Sequence, residues 1–162
     1  MIPNLKNCLF IEKLDLSDNQ ISGEIPNWIW EVVQYNLNLS HNSLVGFQET
    51  YSILNLELLD LHSNRLQGKI PLPLPEAVIF DYLSNNLSSS IPDDIGNFTP
   101  VMYVFSVSNN KLTCVIPESL CNVTWLLVLD WSINNLSCRI PTCLFEVGNL
   151  LDVLNVRRNR LY

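Results

Sequence analysis

The chain has 162 residues, 48% of them hydrophobic, and a formal net charge of −7. That length suits one ordinary domain, and the negative balance argues against nucleic acid, whose binding depends on a basic face. Uninterrupted apolar runs reach only five residues, as at 125–129, far short of the roughly 20 that a membrane-spanning helix needs; residues 1–6 likewise carry no secretory-signal stretch, so neither feature is expected in the chain as it stands.

In chain order, one pattern recurs seven times. The first copy reads LDLSDNQISGEIP around Asn19 and the second LNLSHNSLVGF around Asn42. LDLHSNRLQGKIP follows around Asn64, FDYLSNNLSSSIP around Asn85 and FSVSNNKLTCVIP around Asn110. The last two are LDWSINNLSCRIP around Asn134 and LNVRRNRLY around Asn159. The asparagines stand 21 to 25 residues apart, inside the roughly 20–29 of a leucine-rich repeat.

Each position has a physical reason. L-x-L alternates with period two, which predicts a short strand with its aliphatics inward and its x positions outward. One coil cannot bury its apolar face alone, so successive strands stack in parallel. The asparagine turns inward, where its amide both donates and accepts and satisfies backbone groups leaving the sheet. A further aliphatic refills the core (Ile21, Leu44, Leu66, Leu87, Leu112, Leu136 and Leu161), and Gly with Ile-Pro sets an extended return. The expected fold is an α/β solenoid, a horseshoe with a parallel sheet on the concave side and irregular, 3-10 and short-strand segments on the convex side. It is read as one domain over 1–162, about seven repeats, uncapped at both ends.

The tail L-x-G-x-I-P resembles the plant-type extracellular leucine-rich repeat of receptor-like proteins and receptor kinases. The stretches LDLSDNQISGEIPNWIW, SSSIPDDIGN, SVSNNKLTCVIPESLCN and LDWSINNLSCRIPTCL are similar to the receptor-like proteins linked to Verticillium wilt resistance. The resemblance covers essentially the whole chain and implies a pathogen- or peptide-sensing ectodomain at the extracellular face of the plasma membrane or in the apoplast. It further implies a protein or peptide ligand, a co-receptor kinase, and no cofactor. The chain departs from the pattern where repeat two lacks Ile-Pro after Gly46, where Ser89 replaces the usual glycine, and where Cys114 and Cys138 occupy that same position.

There are five cysteines, at 8, 114, 121, 138 and 143, without a C-x-x-C pair, and the histidines lie far from them in sequence, so a zinc site on cysteine is not expected. Cys121 and Cys143 fall 11 and 9 residues after their asparagines, on nearby parts of neighbouring coils, and the resembling receptors commonly carry this pair as a disulfide. Cys114 and Cys138 share one register, so they offer a second candidate bridge or two small buried hydrophobes. N-x-S/T occurs at Asn38, Asn86, Asn97, Asn122 and Asn135, of which Asn97 and Asn122 lie in convex connections and Asn38 on the concave sheet.

Down the concave face run Asp15, Asn38, Asp60, Asp81, Ser106, Asp130 and Asn155, a column read as a solvated polar face, because no nucleophile–base pair or cleft accompanies it. Neither catalysis nor a metal is expected. His41 and His62 sit on adjacent coils and read as ordinary surface histidines, while Asn109 faces outward and is expected to tolerate replacement. Leu58, Leu83, Val104, Val128 and Ile133 add outward aliphatics, and Arg157 with Arg158 closes the face. The expected ligand contacts are Asp60, His62, Asp81, Leu83, Asp130, Ser132 and Ile133, suited to a basic peptide. Alternatives are a secreted inhibitor of microbial cell-wall enzymes and a truncated receptor piece without its own ligand.

Overall fold

The pleat sends successive side chains to opposite faces, and the seven L-x-L units use it identically. The computed structural model describes residues 1–48, 56–70, 77–137, 139–146 and 150–162, with Phe98 and Cys114 described by their backbone only. The candidate Cys114–Cys138 bridge therefore lies outside the described residues. In chain order the strands are β1 (Ile11–Asp15), β2 (Ser22–Ile25), β3 (Val33–Asn38), β4 (Ser43–Phe47), β5 (Leu58–Asp60), β6 (Gln67–Gly68) and β7 (Ile79–Asp81). After them come β8 (Asn86–Leu87), β9 (Val104–Ser106), β10 (Thr113–Cys114), β11 (Val128–Asp130), β12 (Asn135–Leu136) and β13 (Val153–Asn155). The odd-numbered strands form one seven-stranded parallel sheet in sequence order, and β2–β4, β6–β8 and β10–β12 pair in parallel beside it. This is the solenoid that the repeat spacing predicts.

Register follows the repeat. Leu37, Leu59, Phe80, Phe105 and Leu129 are partners in adjacent strands, and all lie in the buried core. Two residues on, Leu39, Leu61, Tyr82, Val107 and Trp131 make a second buried column. Phe80, Phe105 and Trp131 contact edge to face, with ring centroids 6.3 and 5.7 Å apart, so three coils fill with aromatic rings the volume that leucine fills elsewhere. Full burial of one such aliphatic contributes about 1.5–3 kcal/mol.

The asparagines join one coil to the one before. Asn64 Nδ2 donates to Leu39 O at 2.9 Å, in the preceding coil, and to Leu61 O and His62 O at 3.1 and 3.3 Å in its own. Its Oδ1 accepts the Leu44 N–H at 3.0 Å. Asn42, Asn85, Asn110, Asn134 and Asn159 repeat this, each accepting an amide of the preceding coil at 2.9–3.0 Å. Asn19 donates within its own coil only. A buried amide or carbonyl without a partner is costly, which is why no other side chain recurs here.

Among the described residues the convex side holds two single-turn helices, α1 (Ile29–Val32) and α2 (Ile95–Phe98), and 3-10 turns at Glu118–Asn122 and Thr142–Phe145. A disulfide joins Cys121 to Cys143 between the two 3-10 turns, with Cα atoms 5.8 Å apart. α2 lies so close to the first 3-10 turn that a Cβ on Gly96 would meet Ser119 O. On the return, Gly23 and Gly68 adopt φ of +93° and +81°. Ser89, in the same register, is not among the positive-φ residues, so that coil returns without needing glycine.

Candidate functional site

The outward column that reads as solvated polar residues has a structural task. Asp15, Asn38, Asp60, Asp81 and Asp130 each accept, through Oδ1, the backbone N–H two residues on, at 2.9–3.1 Å, and Asn155 does so at 3.5 Å. This Asx turn bends the chain at the strand end. The residue just before each ladder asparagine then takes the left-handed conformation: Asp18, His41, Ser63, Ser84, Asn109, Ile133 and Arg158 all have φ between +52° and +56°. The amides of the first six stay bonded to the next coil, as in His41 N–H to His62 O at 3.0 Å and Ile133 N–H to Arg157 O at 2.9 Å. The preference for Asp or Asn in L-D-L-S is thereby explained.

Two expectations change as a result. Asn109 is not freely replaceable, because it holds a positive φ and donates to Ser84 Oγ at 2.9 Å. Ser132 is only 3% exposed, and its hydroxyl donates to Asp130 Oδ1 at 2.8 Å. It orients Asp130 and offers a ligand almost no surface. Asn155 Nδ2 donates to the second oxygen of Asp130 at 3.1 Å, so that carboxylate is held on both sides.

Ile133 stands out in its column. The other members are charged, polar or imidazole side chains, and a β-branched residue at positive φ is a genuine outlier. A left-handed L-residue costs roughly 1–2 kcal/mol, and such strain clusters at functional positions.

Asp60, His62, Asp81 and His41 come together in the middle of the sheet. His62 Nδ1 donates to Asp60 Oδ1 at 2.6 Å, and His62 Nε2 lies 2.9 Å from His41 Nε2 in the coil before. Asp81 pairs with Asp60 across β5 and β7. Burial pushes the Asp81 carboxyl above the ordinary carboxylate range, and the Asp60 charge adds to the shift, against the Leu83 N–H and His62. Asp15, at the exposed start of the column, is held below that range, first by the Ser17 hydroxyl and then by the Ser17 N–H. One sequence position thus yields acids of opposite character.

Beside the acids runs a strip of aliphatics. Leu58, Ile79, Val104, Val128 and Val153 are register partners in five consecutive strands, none of them buried. Ile79 and Val153 are absent from the aliphatics read off the sequence, although counting six residues back from each ladder asparagine finds them. Tyr35 and Tyr103, one residue before that strip, are about two-fifths exposed. At the far edge of the acidic column lies Leu83, in the register of His62. At about 4.8 Å per strand, five coils span about 19 Å, the length of about six extended residues.

The sequons divide by surroundings. Asn97 and Asn122 are exposed on the convex side, with Asn122 Nδ2 donating to Asn97 Oδ1 at 2.8 Å. Asn86 and Asn135 are half-buried in β8 and β12. Asn38 accepts the Ser40 amide and hydroxyl within the concave column.

The family model described as Leucine Rich Repeat matches residues 10–32, 55–76 and 102–123. Receptor-like protein 7 of Arabidopsis thaliana is 34% identical over 137 residues, 83% of this chain and 12% of that protein. Receptor-like protein 6 of the same plant is 34% identical over 161 residues, 97% of this chain and 14% of that protein. The chain thus spans about an eighth of the length of the curated relatives it matches. Among solved structures, a TDR receptor superposes with a TM-score of 0.83 at 28% identity, covering 93% of this chain and 27% of that one. The plant peptide hormone receptor RGFR1 in complex with RGF2 gives 0.71 at 28%, covering 97% and 30%. A plant ice-binding protein gives 0.84 at 30%, covering 93% and 50%. One scaffold therefore serves different ends, and function has to be argued from the face it presents.

Proposed function

We propose that this chain, a run of plant leucine-rich repeats of the receptor-like-protein kind, recognises an extended peptide on its concave face in defence or peptide signalling. The observation that carries the reading is the aliphatic strip Leu58–Ile79–Val104–Val128–Val153 lying beside the acidic column of Asp60, Asp81 and Asp130. The aliphatics grip apolar side chains, and the carboxylates take a basic one, Asp60 and Asp81 first. Leu83 and Ile133 extend the apolar contact on the other flank. All of these project from backbone that is hydrogen-bonded coil to coil, so little ordering opposes binding. The setting is extracellular, with exposed Asn97 and Asn122 carrying glycans on the opposite side, and a co-receptor kinase completes the assembly.

The test is selection of peptides of random sequence against the folded chain, followed by affinity measurement with Asp60→Asn/Asp81→Asn. Asparagine occupies the same column at Asn38 and Asn155, so the turn survives and only the charge goes. Selected peptides should hold a basic residue among aliphatics and lose affinity and salt dependence in the double variant. Selection of peptides indifferent both to that variant and to Val104→Asp would place recognition elsewhere.

A further inference from the structure

We propose that His41 and His62 bind a divalent transition-metal ion, such as Zn²⁺, on the concave face, with Asp60 as the residue that orients His62. Their Nε2 atoms converge from adjacent coils to 2.9 Å, with ring planes 83° apart. The Asp60 carboxylate accepts the His62 Nδ1–H at 2.6 Å. That bond places the imidazole lone pair on Nε2, the nitrogen facing His41, and a carboxylate behind the ring is how metal-bound histidines are held. Two nitrogens on a tetrahedral zinc at about 2.0–2.1 Å stand about 3.3 Å apart, so the rings need only open by a few tenths of an ångström. His41, which gives the proton shared between the rings, keeps it on its other nitrogen when the ion replaces it, and no net proton is released.

Three features favour an ion over a chance contact of two histidines. Both backbones are fixed, His41 at φ +52° with its amide on His62 O at 3.0 Å, and His62 by its amide on Asp60 Oδ1 at 3.1 Å. Donor atoms of Asp60, His62 and Asp81 lie within 4.8 Å of one another, so two carboxylates stand beside His62 and offset an ion's charge. The nitrogen donors select zinc, copper or nickel over calcium and magnesium, which take oxygen. With two imidazoles bound, the remaining positions stay open to water or to a donor on an incoming molecule. The site shares Asp60 and Asp81 with the peptide-recognition reading but does not depend on it.

The experiment is calorimetric titration of the folded chain with Zn²⁺, and Co²⁺ absorption as a second probe, in a Cys8→Ser background that removes the exposed free thiol found among the described residues. His41→Asn and His62→Ser copy residues that the same registers already carry at Asn109 and at Ser40 and Ser108, so the fold is kept, with circular dichroism as the check. One ion per chain is expected. Asp60→Asn should weaken it about 10–100-fold, and loss of either histidine should weaken it further. Absence of saturable Zn²⁺ binding, affinity unmoved by both histidine variants, or Ca²⁺ binding as tightly as Zn²⁺ would each overturn the proposal.

Discussion

Replacing Asn64 by leucine tests how the coils are joined. Three carbonyls receive its Nδ2, but each has another donor: Leu39 O keeps Asn42 at 3.1 Å, Leu61 O keeps Asn85 at 3.0 Å, and His62 O keeps the His41 amide at 3.0 Å. The Leu44 N–H is different, since Asn64 Oδ1 is its acceptor and Leu44 is fully buried. One stranded buried donor costs about 1–3 kcal/mol, and three weakened carbonyls bring the expected loss to about 2–4 kcal/mol. Asn64→Asp separates the two halves of the bond set: it keeps an acceptor for Leu44 but turns a second oxygen toward three carbonyls, so it should be at least as damaging. Asn19 is the control within the same column, because it bonds only its own coil and is exposed; Asn19→Leu should cost less than about 1 kcal/mol. Urea unfolding with the disulfide intact reads all three, compared at constant m-value. Equal losses at Asn19 and Asn64, or an undamaged Asn64→Asp protein, would refute the reasoning.

Other outcomes follow from the same coordinates. Ile133→Asn should raise stability by about 1 kcal/mol in a thermal melt by relieving the left-handed strain, and should weaken any selected peptide that contacts this flank. Removing the Cys121–Cys143 bridge, whose partners are 22 residues apart, should cost about 3 kcal/mol on chain-entropy grounds, read as the difference in unfolding between Cys121→Ser/Cys143→Ser and the parent. NMR titration of the carboxyl carbons should show Asp15 ionising below the ordinary range and Asp81 above it. In the folded chain Asp81 takes up a proton that the unfolded chain still lacks, so acidification into the window just above the ordinary aspartate value of 3.8 should add stability. Asp81→Asn should abolish that gain and stabilise the chain near neutrality. Asp15 should act with the opposite sign, its contribution present above its unfolded value and lost as the pH falls through its lowered folded one.

The seven-fold spacing makes the sheet, its register and the inward asparagines legible in the amino-acid sequence, because one residue type at one interval leaves a single stacking solution. The face is less legible. Position arithmetic places Asp60 and Asp81 side by side, but it does not say that the acids of that column also cap the turn, since Asx geometry depends on a backbone amide that every residue has. The same arithmetic puts His41 and His62 on adjacent coils one outward position apart. It does not show that the turn swings His41 toward the next coil until the rings meet. Ser132 reads as an outward hydroxyl, yet it is buried, as are Ser40 and Ser108 in the same register. Ile133 looks like an outward aliphatic, and only its backbone angle marks it as strained.

Every joint from Asn42 to Asn159 is the same set of asparagine bonds, so that seam by itself matches no coil to a particular neighbour; pairings such as Cys121–Cys143 and Gly96 against Ser119 do. A coil outside those pairings could be added, dropped or swapped with the asparagine seams on either side left intact. Meanwhile the column that holds Ser17, Ser40, His62, Leu83, Ser108, Ser132 and Arg157 already carries hydroxyl, imidazole, aliphatic and guanidinium groups on one backbone shape. Exchange of a coil would thus reorder those groups along the face in one step, where point mutation in an ordinary domain would pass through many destabilised intermediates.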